Sequence, residues 1–413
     1  MGSTTDMKRI ITVEPQCWGL EHASINAAFL DMILSAYPEA HINFLGEKEH
    51  LVMVRGILER YDAQASKRVE WRIIGIPKRD ATGWLRFLRE WRQVESILRY
   101  AKEHQAQLLF FTSITNTGIL ALKLRLYRRQ GSFPLMAVMH GMLNRIVGRW
   151  PHKPWNWPLN LRVVLRLPQS QAVLYLALGN SIYRSLAQEK PTLVTHFRPI
   201  GLPHFGDGAL PEDRNSNTQP GKLLFGYLGT GNITKGIGRF ARIAQECGRL
   251  DRQAVFLLVG SLSAWRDNTD YSRITGVTEQ PLSFEEYRRR ALSLTYVINT
   301  SNPEDYRLTP SSTFVDALFY GKPGIYLRNS YVQYYFGLMG DIGYLCDSYE
   351  EMVDTIKGII MDFPSVRYEH QVRNIRKGRG IFNPKTLAPR LREIVDGCTA
   401  SGVGYEHVHD HNC

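Results

Sequence analysis

The chain has 413 residues, 44% of them apolar and 22% charged, which excludes a disordered or fibrous chain. Its length exceeds what one ordinary core supports, so two domains are expected. The net charge of +12 sits wholly in the first 200 residues, where 27 Lys and Arg face 15 Asp and Glu; residues 201–413 balance at 24 each. Such a bias suits an anionic contact: nucleic acid, lipid headgroups or a phosphorylated acceptor. No run approaches the roughly 18 apolar residues of a membrane-spanning helix, and the first residues lack the basic and apolar regions of a secretory signal. Five cysteines, Cys17, Cys247, Cys346, Cys398 and Cys413, stand apart with no CxxC pair. They argue for a reducing compartment, the cytoplasm by default, and against a disulfide framework or structural zinc.

In chain order, the first half alternates short apolar runs with amphipathic segments, the pattern of α/β units around a parallel sheet. Strands are predicted near Ile10–Val13, Ile42–Leu45, Val69–Ile74, Leu108–Thr112, Leu135–Met139 and Ala172–Leu178. The clearest helix runs from Trp84 to Lys102. There Trp84, Phe87, Leu88, Trp91, Val94 and Leu98 recur at helical spacing, with Arg86, Arg89, Arg92 and Arg99 largely opposite. Between Asn144 and Leu167, Arg145, Arg149, Lys153, Arg162 and Arg166 interleave with Trp150, Trp155, Trp157 and several prolines. This is the composition of a membrane-interface contact and equally of a long loop packed on its own domain; the prolines exclude one continuous helix. The basic residues are spread over several elements without a nucleic-acid-binding motif, so no nucleic-acid partner is expected.

Residues 206–221 are polar and aperiodic, and mark a linker between a domain over 1–205 and a second over 222–385. The second half restarts with strands at Leu223–Leu228, Ala254–Val259, Thr295–Ile298, Gly324–Leu327 and Ile342–Leu345. Helices are predicted at Lys235–Arg249, Phe284–Ala291, Thr313–Tyr320 and Ser348–Met361. A helix over 386–400 is expected to pack back towards the N-terminal domain, followed by a disordered tail over 401–413. In that tail His407, His409 and His411 alternate, a spacing that could face one metal, although a polar terminal tail is more often disordered; no metal is expected.

Two segments carry the chemistry. The first runs from Leu223 through Gly229-Thr230-Gly231-Asn232-Ile233-Thr234-Lys235-Gly236, a strand, a glycine-rich turn and a helix start. The second, Pro310-Ser311-Ser312-Thr313-Phe314-Val315-Asp316-Ala317-Leu318, closes with Gly321-Lys322-Pro323. A helix N-terminus offers unpaired N–H groups and partial positive charge to a diphosphate. Lys235 adds a cation for phosphate and Asp316 an acceptor pair for ribose hydroxyls. Against this, Ser311 or Ser312 could simply cap the helix, and Asp316 could sit in its first turn for dipole reasons. Lys322 reads as a solvated turn residue.

These two segments resemble the nucleotide-sugar domain of GT-B glycosyltransferases, particularly family 4. That family places a lysine six residues after a strand-ending glycine, matched by Gly229 and Lys235, and Lys235-Gly236 matches its Lys-Gly. Its arginine directly after the glycine is replaced by Thr230; Arg307 is the candidate substitute. Asp316-Ala317 followed by Gly321-Lys322-Pro323 matches the second of the family's two glutamate positions, and Leu308 stands where the first, facing the donor sugar, would be. Gly260, at a strand end, and Leu282, in a segment whose backbone reads the base, match further donor contacts. In the first half, His140 after a strand matches a donor-contacting histidine, while Glu21 and His22 at the first βα turn stand where a base for the acceptor could be.

The resemblance implies an α/β GT-B architecture, two doubly wound Rossmann-like domains facing across a cleft. It implies a retaining, metal-independent transfer with Lys235, His140 and Arg307 catalytic. Gly229, Thr230, Gly231, Asn232, Gly260, Leu282, Ser311, Ser312, Thr313 and Asp316 would bind the donor. The nucleotide-diphosphate sugar is a co-substrate and no cofactor is expected. The charge of the first domain, read apart from the resemblance, suits a glycan or glycolipid acceptor and an anionic membrane surface as partner of that domain. Two alternatives stay open: a non-catalytic nucleotide- or glycan-binding scaffold, and a sugar-nucleotide epimerase on the same fold.

Overall fold

The computed structural model describes residues 7–78, 80–127, 133–148, 150–168, 173–205, 222–251, 253–263 and 269–400. Ala172, Arg149, the linker assigned to 206–221 and the histidine-bearing tail lie outside the described residues. The chain divides into two compact units, Met1–Phe205 with Phe382–Cys413, and Gly206–Ile381. The chain thus re-enters the first unit at Phe382, four residues before the boundary expected after residue 385.

The first unit runs β1 (Arg9–Val13), α1 (Ala23–Ala36), β2 (His41–Gly46), α2 (Lys48–Tyr61), α3 (Ala63–Ser66), β3 (Val69–Ile73) and α4 (Gly83–Glu103). It continues through β4 (Leu108–Phe111), α5 (Asn116–Leu126), β5 (Leu135–Val138), α6 (Leu161–Arg166), β6 (Val173–Leu178), α7 (Asn180–Glu189) and β7 (Phe197–Ile200). Its seven parallel strands take the order β3-β2-β1-β4-β5-β6-β7. The central strands β4, β5 and β6 are buried at every position. They therefore read as unbroken apolar runs rather than alternation, as strands covered on both faces must. β7 was not foreseen; it holds Pro199 and lies at the sheet edge, where the missing N–H is tolerated.

The second unit runs β8 (Leu223–Leu228), α8 (Ile237–Cys247), β9 (Ala254–Val259), β10 (Ile274–Thr275), α9 (Phe284–Ser293) and β11 (Tyr296–Asn299). It continues through α10 (Ser312–Phe319), β12 (Gly324–Leu327), α11 (Ser330–Met339), β13 (Gly343–Cys346), α12 (Tyr349–Met361) and α13 (Ser365–Gly378). Its six parallel strands take the order β10-β9-β8-β11-β12-β13. Both sheets are doubly wound, reversing direction between β1 and β4 and between β8 and β11. Ligands of such sheets bind beyond the strand carboxyl ends at that reversal. The unforeseen β10 spans two residues, and α11 and α13 were also missed. A last helix, α14 (Pro384–Ala400), belongs to the first unit. It buries Ala388, Leu391, Ile394 and Val395, lies along α1, and Arg392 donates to the Ala36 carbonyl at the end of α1.

Candidate functional site

In the second unit, Leu228 ends β8 and Asn299 ends β11, the two strands flanking the reversal. A recess opens there, lined by Tyr227, Lys235, Asn299, Ser301, Tyr306 and Thr313 among others. The sheet thus brings the lysine of the first segment and the helix start of the second into one place. Gly229 makes the approach possible: its φ is +84°, and an added Cβ would lie 3.0 Å from Thr313 Cγ2.

Lys235 is held through its own carbonyl, which accepts from Tyr227 Oη at 2.9 Å and Ser301 Oγ at 3.2 Å. The next carbonyl, of Gly236, accepts from Thr300 Oγ1 at 2.7 Å. Gly236 has φ +77°, and a Cβ would collide with the Thr300 carbonyl oxygen at 2.3 Å, so only glycine fits. Three hydroxyls from β8 and the β11 loop therefore aim the lysine. Although the residue is exposed as a whole, protein packed around its ammonium lowers its pKa from the ordinary lysine value through desolvation.

In the glycine-rich turn, four of the N–H groups that the sequence offers to a phosphate are taken by the protein itself. Gly229, Gly231, Lys235 and Gly236 donate their N–H groups to Val259 O, Ser261 O, Asn232 Oδ1 and Ile233 O. Asn232 is spent on the turn, also accepting from Thr234 Oγ1 at 2.8 Å. Thr230 is exposed. Gly260 has a packing reason to be glycine: at φ +153°, its Cβ would fall 1.9 Å from the Gly229 carbonyl oxygen.

α10 supplies what that turn does not. Ser311 is its N-cap, accepting from Phe314 N at 3.2 Å, and its hydroxyl lies 3.2 Å from Thr313 Oγ1. Ser311 is therefore occupied as a cap, the plain alternative. Ser312 and Thr313 begin the helix, and their N–H groups have no intrahelical partner by geometry. Asp316 lies beyond the first turn, which holds no acidic residue, so the dipole explanation for it fails. Its Oδ2 accepts from Tyr287 Oη at 2.9 Å. Burial and the Asp316 charge push the Tyr287 pKa well up, so the phenol stays a donor and holds the carboxylate in one orientation. Tyr287 is the fourth residue of α9, a helix that begins two residues after Leu282.

Other expected residues sit less centrally. Arg307, exposed, follows the 3-10 helix Pro303–Tyr306 and lies 3.7 Å from Glu304. Leu308 is fully buried, so its position faces core rather than ligand. Lys322, expected to be solvated, is 4% exposed. Desolvation, helped by Arg376, pushes its pKa down from 10.5 to about 8. Tyr227, Thr300, Ser301, Tyr306 and Tyr287 were missed as site residues. Their only local signal is a hydroxyl near a strand end, too common to single them out.

In the first unit, the reversal between β1 and β4 is filled by a side chain. Glu14, directly after β1 and fully buried, accepts from Gln16 N, Cys17 N, Asn26 Nδ2, Thr112 Oγ1 and Ser113 Oγ. Asn26 also meets His50 Nε2 at 2.8 Å, and His50 Nδ1 lies 2.8 Å from the Gly19 carbonyl. This network fixes the loop before α1. That loop carries Glu21, which is exposed, and His22, which adopts φ 54°. The His22 ring lies 4.1 Å from the His140 ring, centroid to centroid. Burial, with a smaller push from His22, drives the His140 pKa well below the ordinary histidine value, so its imidazole is neutral at physiological pH. His140 Nε2 is buried without a hydrogen-bond partner among the described residues. The first-half histidines, separated by more than a hundred residues, are thus one feature.

No group of three or more metal-ligating side chains occurs among the described residues. The four described cysteines are free. No described helix is long and apolar enough to cross a membrane.

No family model matches the chain, and no curated protein sequence does. Similarity appears in solved structures. HepE from Anabaena, crystallised with UDP and glucose, superposes with a TM-score of 0.63 at 16% identity, covering 94% of this chain and 100% of HepE. WaaG, a glycosyltransferase involved in lipopolysaccharide biosynthesis, gives 0.61 at 11% identity, covering 94% of this chain and 100% of its own. A Listeria monocytogenes protein described as a UDP-N-acetylglucosamine 2-epimerase gives 0.55 at 12%, covering 96% and 98%. The α/β fold of two Rossmann-like units is the GT-B fold.

Proposed function

We propose that the chain is a glycosyltransferase moving a sugar from a nucleoside-diphosphate donor to an acceptor hydroxyl, retaining anomeric configuration and using no metal. The observation that carries this reading is the meeting of Lys235 with the start of α10 in one recess at the sheet reversal. The Lys235 ammonium would neutralise the departing diphosphate, with the N–H groups of Ser312 and Thr313 and the Thr313 hydroxyl as further donors. Asp316, oriented by Tyr287, would accept from the ribose hydroxyls. Neutral His140, beside His22, would serve as a hydrogen-bonding group towards sugar or acceptor. Arg307 is assigned a lesser role as a second cation.

The transfer breaks the bond from the anomeric carbon to the diphosphate oxygen and forms one to the acceptor oxygen, whose proton leaves with the diphosphate. A UDP-sugar is the first donor to test, since HepE holds UDP and glucose on this fold. A glycan or glycolipid acceptor and a part in polysaccharide biosynthesis follow the likeness to WaaG, itself involved in lipopolysaccharide biosynthesis, and a cytoplasmic location follows the scattered cysteines. Incubation with a panel of sugar nucleotides should release nucleoside diphosphate. Lys235→Ala should lower that release about 100-fold or more while the melting temperature holds. Intact nucleotide binding with no turnover on any donor would sink the transferase reading in favour of a scaffold. The epimerase reading, favoured by the Listeria likeness, requires the sugar nucleotide to be converted to its epimer without an acceptor.

A further inference from the structure

In the first unit, the fold joins two apolar surfaces far apart in sequence. The N-terminal end of α4 presents Trp84, Leu85 and Leu88 to solvent, the two leucines 54% and 56% exposed. Their spacing puts Trp84 and Leu88, and Leu85 and Leu88, on neighbouring rows of one helix face. The 3-10 helix Pro154–Leu159 packs beside them. Trp84 Nε1 donates to the Trp155 carbonyl at 2.8 Å, and an added Cβ on Gly83 would lie 3.1 Å from Asn156 Oδ1. Trp155 is 62% exposed, Trp157 48%, and Trp150 stacks edgewise on Trp157 at 5.9 Å. The result is a continuous patch of tryptophan and leucine held to a folded scaffold.

Its charge is of one sign. Residues 143–168 contain five Lys and Arg and no Asp or Glu. Lys153 lies over the Trp155 ring, 5.7 Å from its centre, and Arg162 lies 5.5 Å from that of Trp150. On the first three turns of α4, Arg89 and Arg92 are exposed on the same side as Trp84 and Leu88, not opposite them as the helical spacing suggested, because Phe87, Glu90, Val94 and Ile97 form the buried face. The single carboxylate there, Glu90, is 3% exposed and bound by Arg86, Thr115 and Thr117. A protein partner selects for hydrogen-bond complementarity, whereas tryptophan edges beside exposed cations match the headgroup layer of a bilayer. Neither helix is a membrane span, so the contact lies in the interface plane.

We infer that this face docks on an anionic phospholipid bilayer, with Trp155, Trp157, Leu85 and Leu88 entering the headgroup region and Lys153, Arg89 and Arg92 meeting lipid phosphates. The inference is independent of the transfer reaction and of the recess around Lys235, whose lining residues belong to the other unit. The test is sedimentation of the full chain with phosphatidylcholine vesicles, with and without phosphatidylglycerol, at low and high salt. Binding to the anionic vesicles at low salt, weakened by high salt, is expected. Trp155→Ser with Leu88→Ser should weaken it at least tenfold, and Lys153→Glu with Arg89→Glu at least as much. Both pairs should keep the wild-type melting temperature and affinity for UDP or whichever nucleotide binds. If the apolar pair fails to fold, the charge pair, all on exposed residues, decides alone. Absence of wild-type binding at low salt, equal binding to phosphatidylcholine alone, or unchanged binding of folded variants would overturn the inference.

Discussion

Lys235 combines an aimed backbone with a desolvated ammonium, and its titration gives a direct readout of its role. The protonated form would bind diphosphate, and desolvation lowers the pKa. Nucleotide affinity should therefore fall as pH rises from neutral to about 10, and this fall should be missing in Lys235→Met; isothermal titration at several pH values measures both. Tyr287→Phe removes the donor that orients Asp316 without touching the carboxylate. It should weaken nucleotide binding about three- to tenfold, a loss of roughly 1 kcal/mol, typical of one hydrogen bond. Loss of discrimination between ribose and deoxyribose nucleotides should accompany it, and equal affinity in wild type and variant would remove Tyr287 from the site. Lys322 and Lys123 behave differently, since burial lowers both to about 8. Between that value and the ordinary 10.5 the unfolded chain binds more protons than the folded one, so these lysines make stability rise with pH across the window. Lys322→Met should flatten that rise and add up to a few kcal/mol below pH 8, read from urea unfolding against pH.

The β8–α8 turn is a device for presenting one side chain, and its tolerance to change follows from its backbone. Gly236→Ala would combine a left-handed backbone, costing about 1–2 kcal/mol for an L residue, with a 2.3 Å collision against Thr300 O. The variant should lose more than 2 kcal/mol of stability and most nucleotide binding, because any relief must move Lys235. Thr230→Ala, at an exposed position in the same turn, should change stability by less than about 0.5 kcal/mol. α10 was legible in the sequence to within a residue, because Ser311 caps it and Phe314, Val315, Ala317 and Leu318 follow at helical spacing. α11 was not, since SYVQYYFGLM has no polar face to set a helical period. The β1–α1 loop shows the other limit. Glu14 reads as a strand-end charge, and only the sheet reveals that it collects five donors from three segments.

At the scale of the molecule, the chain builds its first unit from both ends. α14 covers α1 and supplies buried Ala388, Leu391, Ile394 and Val395, and Leu387 lies within 2.8 Å of where a Gly201 Cβ would be. Truncation before Pro384 should therefore destabilise the first unit by several kcal/mol, exposing it to proteolysis, while the second unit retains its nucleotide affinity. Limited proteolysis with and without nucleotide separates the two effects. The charge asymmetry is explained at this scale as well. In the first unit Arg89 and Arg92 of α4 and Lys153 are exposed, while in the second unit Glu286 pairs with Arg289 and Arg290.

Local pattern in the sequence carries the α/β class, nearly all strands, the division near residue 205 and the two segments that meet in the recess between β8 and β11. Those are properties of local period, turn chemistry and spacing, which a chain displays without folding. Tertiary structure decided which groups in those segments are spent and which remain. Four of the turn's N–H groups bond to β9, to Ser261 just after it or within the turn, Leu308 and Lys322 are buried, and Tyr287 takes one oxygen of Asp316. It also joined His22 to His140 and Trp84 to Trp155. Such contacts depend on which strands lie side by side, and a sheet whose neighbours are non-consecutive leaves no trace of that order in the sequence between them.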